Sequence, residues 1–106
     1  VEDRGPVMVT IEYLVDDADW TAFNEAIVQL GEARRRYGAY QWGVVQDTSH
    51  PQRFVEYFFE SSWLHHLHHH ERTAGEDREK QRLVNAFHSA NTSPLVQHML
   101  AVPIKK

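Results

Sequence analysis

Cysteine is absent from the 106 residues, which excludes a disulfide framework, thiolate nucleophiles, zinc ribbons and iron–sulfur ligation. Glycine and proline are sparse, at five and four, so the composition is not that of a disordered or fibrous chain. No apolar run approaches the roughly 20 residues that cross a bilayer, and no charged-then-apolar leader opens the chain. Positive charge is not in excess either. Eleven Lys and Arg stand against 15 Asp and Glu, for a net charge of -4, so no global field draws the protein onto nucleic acid or an anionic membrane. A glycine-rich phosphate loop, a nucleophile elbow, a Ser-His-Asp order and the HExxH spacing are all missing, which argues against nucleotide, acyl-transfer and zinc-protease chemistry.

What is present is an ordinary globular composition, 42% hydrophobic and 25% charged, in a length that suits one domain with a modest core. The polar, turn-prone lead, residues 1–6, starts at Val1 and reads as a linker. That suggests a piece of something longer. Residues 7–103 read as the domain and residues 104–106 as a tail. From Val7 to Val15 the residues alternate as in a strand, with Val7, Val9, Ile11, Tyr13 and Val15 on one face. Asp16 or Asp17 is expected to cap a helix in which Trp20, Phe23, Ile27, Leu30 and Ala33 or Arg34 recur at helical spacing, until Gly38 ends it. The Arg34–Arg36 cluster complements the dipole at that helix's C-terminus. Strands are expected over Ala39–Gln46 and Arg53–Phe59, joined by a turn at Asp47–Pro51. Ser61 or Ser62 caps a helix running through Glu71, Gly75 interrupts it, a further helix covers Glu76–His88, and a last strand runs from Leu95 to Val102.

This order predicts an α+β, ferredoxin-like βαββαβ domain: a four-stranded antiparallel sheet with helices on one face. The wholly apolar face of the first strand suits the helix layer, and Val55, Tyr57 and Phe59 are expected to match it. Met8, Thr10, Glu12 and Leu14 would then lie beside Phe54, Glu56 and Phe58 on the other face, too apolar for open water and too polar for a dry core. Two such sheets packed face to face in a homodimer resolve the conflict.

Few residues carry a chemical signal. His65 with His69 and His66 with His70 stand at i, i+4, a spacing that chelates a divalent metal; with no third ligand legible, adventitious capture is the most they imply, and no functional metal or cofactor is expected. Glu12 and Glu56 sit mid-strand among apolar neighbours, where a carboxylate is either paired, with His98 or Arg53 as candidates, or shifted towards general-base use. Tyr40 and Trp42 are expected to share a strand face and line a site for a small flat aromatic ligand. Thr10, Glu12, Tyr40, Trp42, Glu56, Phe58 and His98 make up the candidate ligand site, and Glu12 and Glu56 the candidate catalytic pair.

Residues Glu32–Arg72, with the glycine after the first helix, the strand hairpin and the aromatic strand leading into a His-bearing helix, resemble the antibiotic-biosynthesis-monooxygenase-like superfamily of dimeric α/β barrels. Together with the opening DRGPVMVTIEYLVDDADWTAF, they look more closely like the soluble C-terminal domain of bacterial major-facilitator permeases described as transmembrane secretion effectors. The resemblance spans about Asp3 to Leu100. It implies a cytoplasmic accessory domain that dimerises or senses a compound beside a membrane portion of the same polypeptide. The superfamily's enzymes also imply a cofactor-independent monooxygenase acting on a flat phenolic or quinol-like substrate. Haem-degrading relatives place an Asn on the first strand and a Trp at the end of the third, where this chain has Tyr13 or Glu12 and Phe58.

Overall fold

Strand β1, Val7–Leu14, is the axis on which the other elements are arranged. Its alternate residues Val7, Val9, Ile11 and Tyr13 are buried, and the residues between them are half-buried. The computed structural model describes residues 4–72 and 75–104. After a single 3-10 turn at Asp17–Asp19, helix α1 spans Trp20–Arg36. The turn is closed by the Asp19 amide donating to the Asp16 carbonyl, and neither Asp16 nor Asp19 caps through its side chain. Trp20, assigned to the buried stripe by spacing, is 48% exposed, whereas Phe23, Ile27, Leu30 and Ala33 are core. Gly38 ends the helix as expected, with φ +99°, a conformation that favours glycine.

Strands β2 (Tyr40–Gln46) and β3 (Arg53–Glu60) form the hairpin, whose loop is ordered by Asp47 Oδ1 accepting from the Ser49 and His50 amides. Helix α2 covers Trp63–Arg72 and helix α3 Gly75–Asn85, followed by β4 at Leu95–Leu100. Ser62 Oγ accepts the His65 amide, a capping contact. The sheet order is β2-β3-β1-β4 with every pair antiparallel, and the helices lie on one face: the ferredoxin-like arrangement.

The register corrects the sequence reading of β3. Val9 pairs with Phe58, Ile11 with Glu56 and Tyr13 with Phe54, so Phe54, Glu56, Phe58 and Glu60 face the helices and are buried. Val55, Tyr57 and Phe59 face away, beside Glu12, Thr10 and Met8. A second correction comes from β2, where three residue steps from Tyr40 to Gly43 oppose two on β3, from Phe59 to Tyr57. The extra residue is a bulge, with Gln41 at φ 52°. It places Tyr40 on the open face, stacked on Phe59 at 5.9 Å, and turns Trp42 inward against the core.

Candidate functional site

Two polar centres lie under the helices. The first is built on Glu56, which is 0% exposed. Its Oε1 accepts from Tyr13 Oη at 2.9 Å and Arg34 Nη2 at 3.1 Å, and its Oε2 from Arg34 Nε at 2.9 Å and Trp42 Nε1 at 2.9 Å. The carboxylate therefore receives four hydrogen bonds, two per oxygen, including the two-pronged guanidinium grip that makes such pairs strong. Gln81 on α3 extends the network: its Oε1 accepts from Arg34 at 2.6 Å, and its amide donates to Tyr13 Oη and Asn85 Oδ1. Arg34 also lies over the Phe58 ring at 4.9 Å. Burial, then the neighbouring Glu56 charge, raises the Tyr13 phenol well above its ordinary value, so it stays protonated and donating. Burial alone pulls the Arg34 guanidinium down, but the charge and hydrogen bonds of Glu56 carry it above its usual value.

Each group is placed by local structure. Arg34 follows Leu30 by four residues on the buried stripe of α1, so its stem runs along the core with its head under Glu56. Trp42 reaches inside through the β2 bulge, and its ring lies against Gly31, where an added Cβ would meet it at 2.6 Å. Arg35 covers the same ring at 5.4 Å, and Arg36 bonds Asp77 on α3. The three arginines thus have separate partners beyond the helix dipole.

The second centre is at the far end of β3. Glu60 is 0% exposed, and its Oε1 lies 2.9 Å from Nδ1 of buried His66. The Trp63 ring stacks on His66 at 5.4 Å, and His98 from β4 meets both, at 4.7 Å from His66 and 5.8 Å from Trp63. Burial, then the nearness of His66, lowers the His98 pKa below 6.5, against a smaller upward pull from Glu60. His65 Nε2 contacts the Tyr37 carbonyl at 2.9 Å. No cluster of three potential metal ligands occurs among the described residues; the side chains of His69 and His70 lie outside them.

The predicted ligand site is therefore divided. Glu56, Phe58 and Trp42 are interior. Thr10, Glu12 and Tyr40 are on the open sheet face, where Glu12 pairs with Arg53 at 2.8 Å and Arg53 with Asp47 at 3.1 Å. His98 belongs to the second centre and contacts neither glutamate of the predicted pair. Glu60, His66 and Trp63 were not recognised as a group from sequence. Three surface clefts are described, one between α1 and β2 of about 190 Å³, one beside Trp63 and β4 of about 200 Å³, and one at the hairpin loop of about 340 Å³. Neither Glu12 nor Glu56 lines any of these three.

A ferredoxin-like sheet with one helical layer, an interior ion pair and an uncovered second face defines the class. Residues 1–105 match the family model of the transmembrane secretion effectors, and the chain belongs to that family. No curated protein matches the sequence. Among solved structures, the chain is similar to a provisionally assigned antibiotic biosynthesis monooxygenase from Bordetella bronchiseptica, at 18% identity and TM-score 0.76, covering 94% of this chain and 100% of that one. A counterpart from Caulobacter crescentus aligns at 13% identity and TM-score 0.77, over 94% and 92% of the two chains. One from Nitrosomonas europaea aligns at 22% identity and TM-score 0.67, over 94% and 96%. At these identities the likeness defines the fold.

Proposed function

We propose that this chain is a non-catalytic dimerisation or small-ligand-sensing domain, the cytoplasmic accessory part of a major-facilitator-type permease. The observation that carries the reading is the state of Glu56. A general base needs a lone pair directed at a substrate proton, whereas each oxygen of this carboxylate already accepts from two protein donors. Glu12, the other candidate base, is engaged by Arg53. Membership of the transmembrane secretion effectors supports the link to a permease, and among the described residues no helix is long and apolar enough to cross a membrane itself.

The open face supports the pairing. Rows of Tyr40, Phe59, Met8 and Met99, then Gly43, Tyr57, Thr10 and Gln97, then Val45, Val55, Glu12 and Leu95 run across the four strands. Nothing among the described residues covers them, and the charges of Glu12 and Arg53 on this face neutralise each other. A second copy meets such a face with an identical one, the symmetric solution open to a neutral apolar patch.

The names carried by the structural neighbours favour the alternative, a cofactor-independent monooxygenase of flat phenolic or quinol-like substrates. Oxygen uptake by the folded protein across a panel of such compounds separates the two. The sensing reading expects uptake no faster than the buffer blank. Turnover that needs both substrate and protein, and that falls in Glu56→Gln, would establish the oxygenase instead.

A further inference from the structure

The cleft beside Trp63 is lined by Val7, Trp63, His98, Met99 and Leu100 and measures about 200 Å³. An apolar cavity of about 150 Å³ holds benzene, so this one has room for a single ring with a short substituent. Among the described residues no acidic or permanently charged side chain lines it. Trp63 and His98 stand nearly perpendicular, at 82°, which offers an incoming ring one face and one edge, the geometry that aromatic pairs favour. His66 holds both rings from behind and is itself tied to buried Glu60. The wall is therefore positioned before a ligand arrives.

The same wall is joined to the segment preceding β1. The Trp63 amide donates to the Arg4 carbonyl at 2.6 Å, and the Ala101 amide to the Pro6 carbonyl at 2.9 Å. Gly5 lies so close to the start of α2 that an added Cβ would come within 2.2 Å of the Ser61 carbonyl oxygen and 2.6 Å of Ser62 Cα. The floor of the cleft is the Val7–Leu100 strand pair, which continues directly into these two contacts. The Trp63 backbone is thereby tied directly to residues 4–6.

Resting on the sensing reading above, we propose that this cleft is the ligand site, that it takes an uncharged molecule with one aromatic ring and a hydrogen-bonding substituent directed at His98, and that occupation shifts residues 4–6 through Trp63. Partial desolvation and then the nearness of His66 lower the His98 pKa, in keeping with an uncharged partner.

The test is a titration of the intact chain with benzyl alcohol, followed by amide and indole NMR signals, with the three tryptophans assigned by single substitution. Saturable shifts are expected at the Trp63 indole and the Leu100 amide, with Arg4 and Gly5 moving at the same midpoint. Benzoate and cyclohexylmethanol should bind at least about tenfold more weakly, a difference of about 1.4 kcal/mol. Leu100→Trp, on the same strand face as His98 and part of the lining, fills the cleft and should weaken benzyl alcohol by a similar factor. His98→Leu provides a second variant should the first fail to fold. Shifts centred on the Trp42 indole, no saturable shift at Trp63, still residues 4–6, or undiminished binding in both folded variants would overturn the proposal. A dimeric sample without oxygen uptake that shows no shift removes this site and leaves the sensing reading intact, whereas oxygen-dependent consumption of the alcohol removes both.

Discussion

Replacing Glu56 by Gln preserves the shape of the side chain and leaves the Arg34 guanidinium buried without its counter-charge. Loss of one partner from such a pair costs about 3–5 kcal/mol, and urea denaturation of Glu56→Gln should show a loss of that size. A loss under about 1 kcal/mol would mean that the pair behaves as a surface one. Tyr13 gives the network a signature in pH. Its folded pKa is raised above 10.0 by burial and then by Glu56. As pH rises past about 10 the unfolded chain therefore releases a proton that the folded protein keeps. Stability must fall over that window, and in Tyr13→Phe this part of the fall disappears from denaturation midpoints compared at about pH 8 and about pH 11. The sequence carried half of this centre: Glu56, mid-strand among apolar neighbours, is expected to be paired, with His98 or Arg53 as candidates. It did not point to Arg34, read as complementing the helix dipole, because FVEYFF is apolar on both faces and only the cross-strand register turns Glu56 inward.

At the scale of elements, the junction between α1 and β2 depends on Gly38. Its φ of +99° is unfavourable for other residues, and an added Cβ would lie 2.6 Å from His65 Nε2, a ring already held at the Tyr37 carbonyl. Gly38→Ala should cost about 1–3 kcal/mol from backbone strain plus the steric collision, and His65→Ala in the same chain should recover the steric part, read as a non-zero coupling in a double-mutant cycle. Equal losses in both backgrounds would show that the ring gives way freely. Element order, the Gly38 stop, the Ser62 cap and the hairpin were legible because each rests on local chemistry. The β2 bulge was not, since strict alternation puts Tyr40 and Trp42 together and nothing local announces the inserted residue. Trp42 is drawn inward by Glu56 and by the space above Gly31, both remote in sequence.

For the whole molecule, the uncovered sheet face is the central matter. The sequence already showed that one face of β1 is neither polar enough for water nor dry enough for a core, and the corrected register makes the opposing row on β3 more apolar, with Val55, Tyr57 and Phe59 in place of Phe54, Glu56 and Phe58. The edge strand β4 adds Leu95 and Met99, each about half exposed, with no lysine or proline to guard it. The candidate ligand residues were scattered because they were grouped on that mistaken face. Of them only His98 lies with Trp63 and His66, a grouping of β4 with α2 that is remote in sequence.

The account stands most directly on a native mass spectrum of untagged protein at micromolar concentration, beside that of Tyr57→Lys, which places a charge in the middle of the open face. The prediction is twice 12.4 kDa for the unaltered chain and the single mass for the folded variant. A monomer in both, with the sheet face left in water, would contradict it.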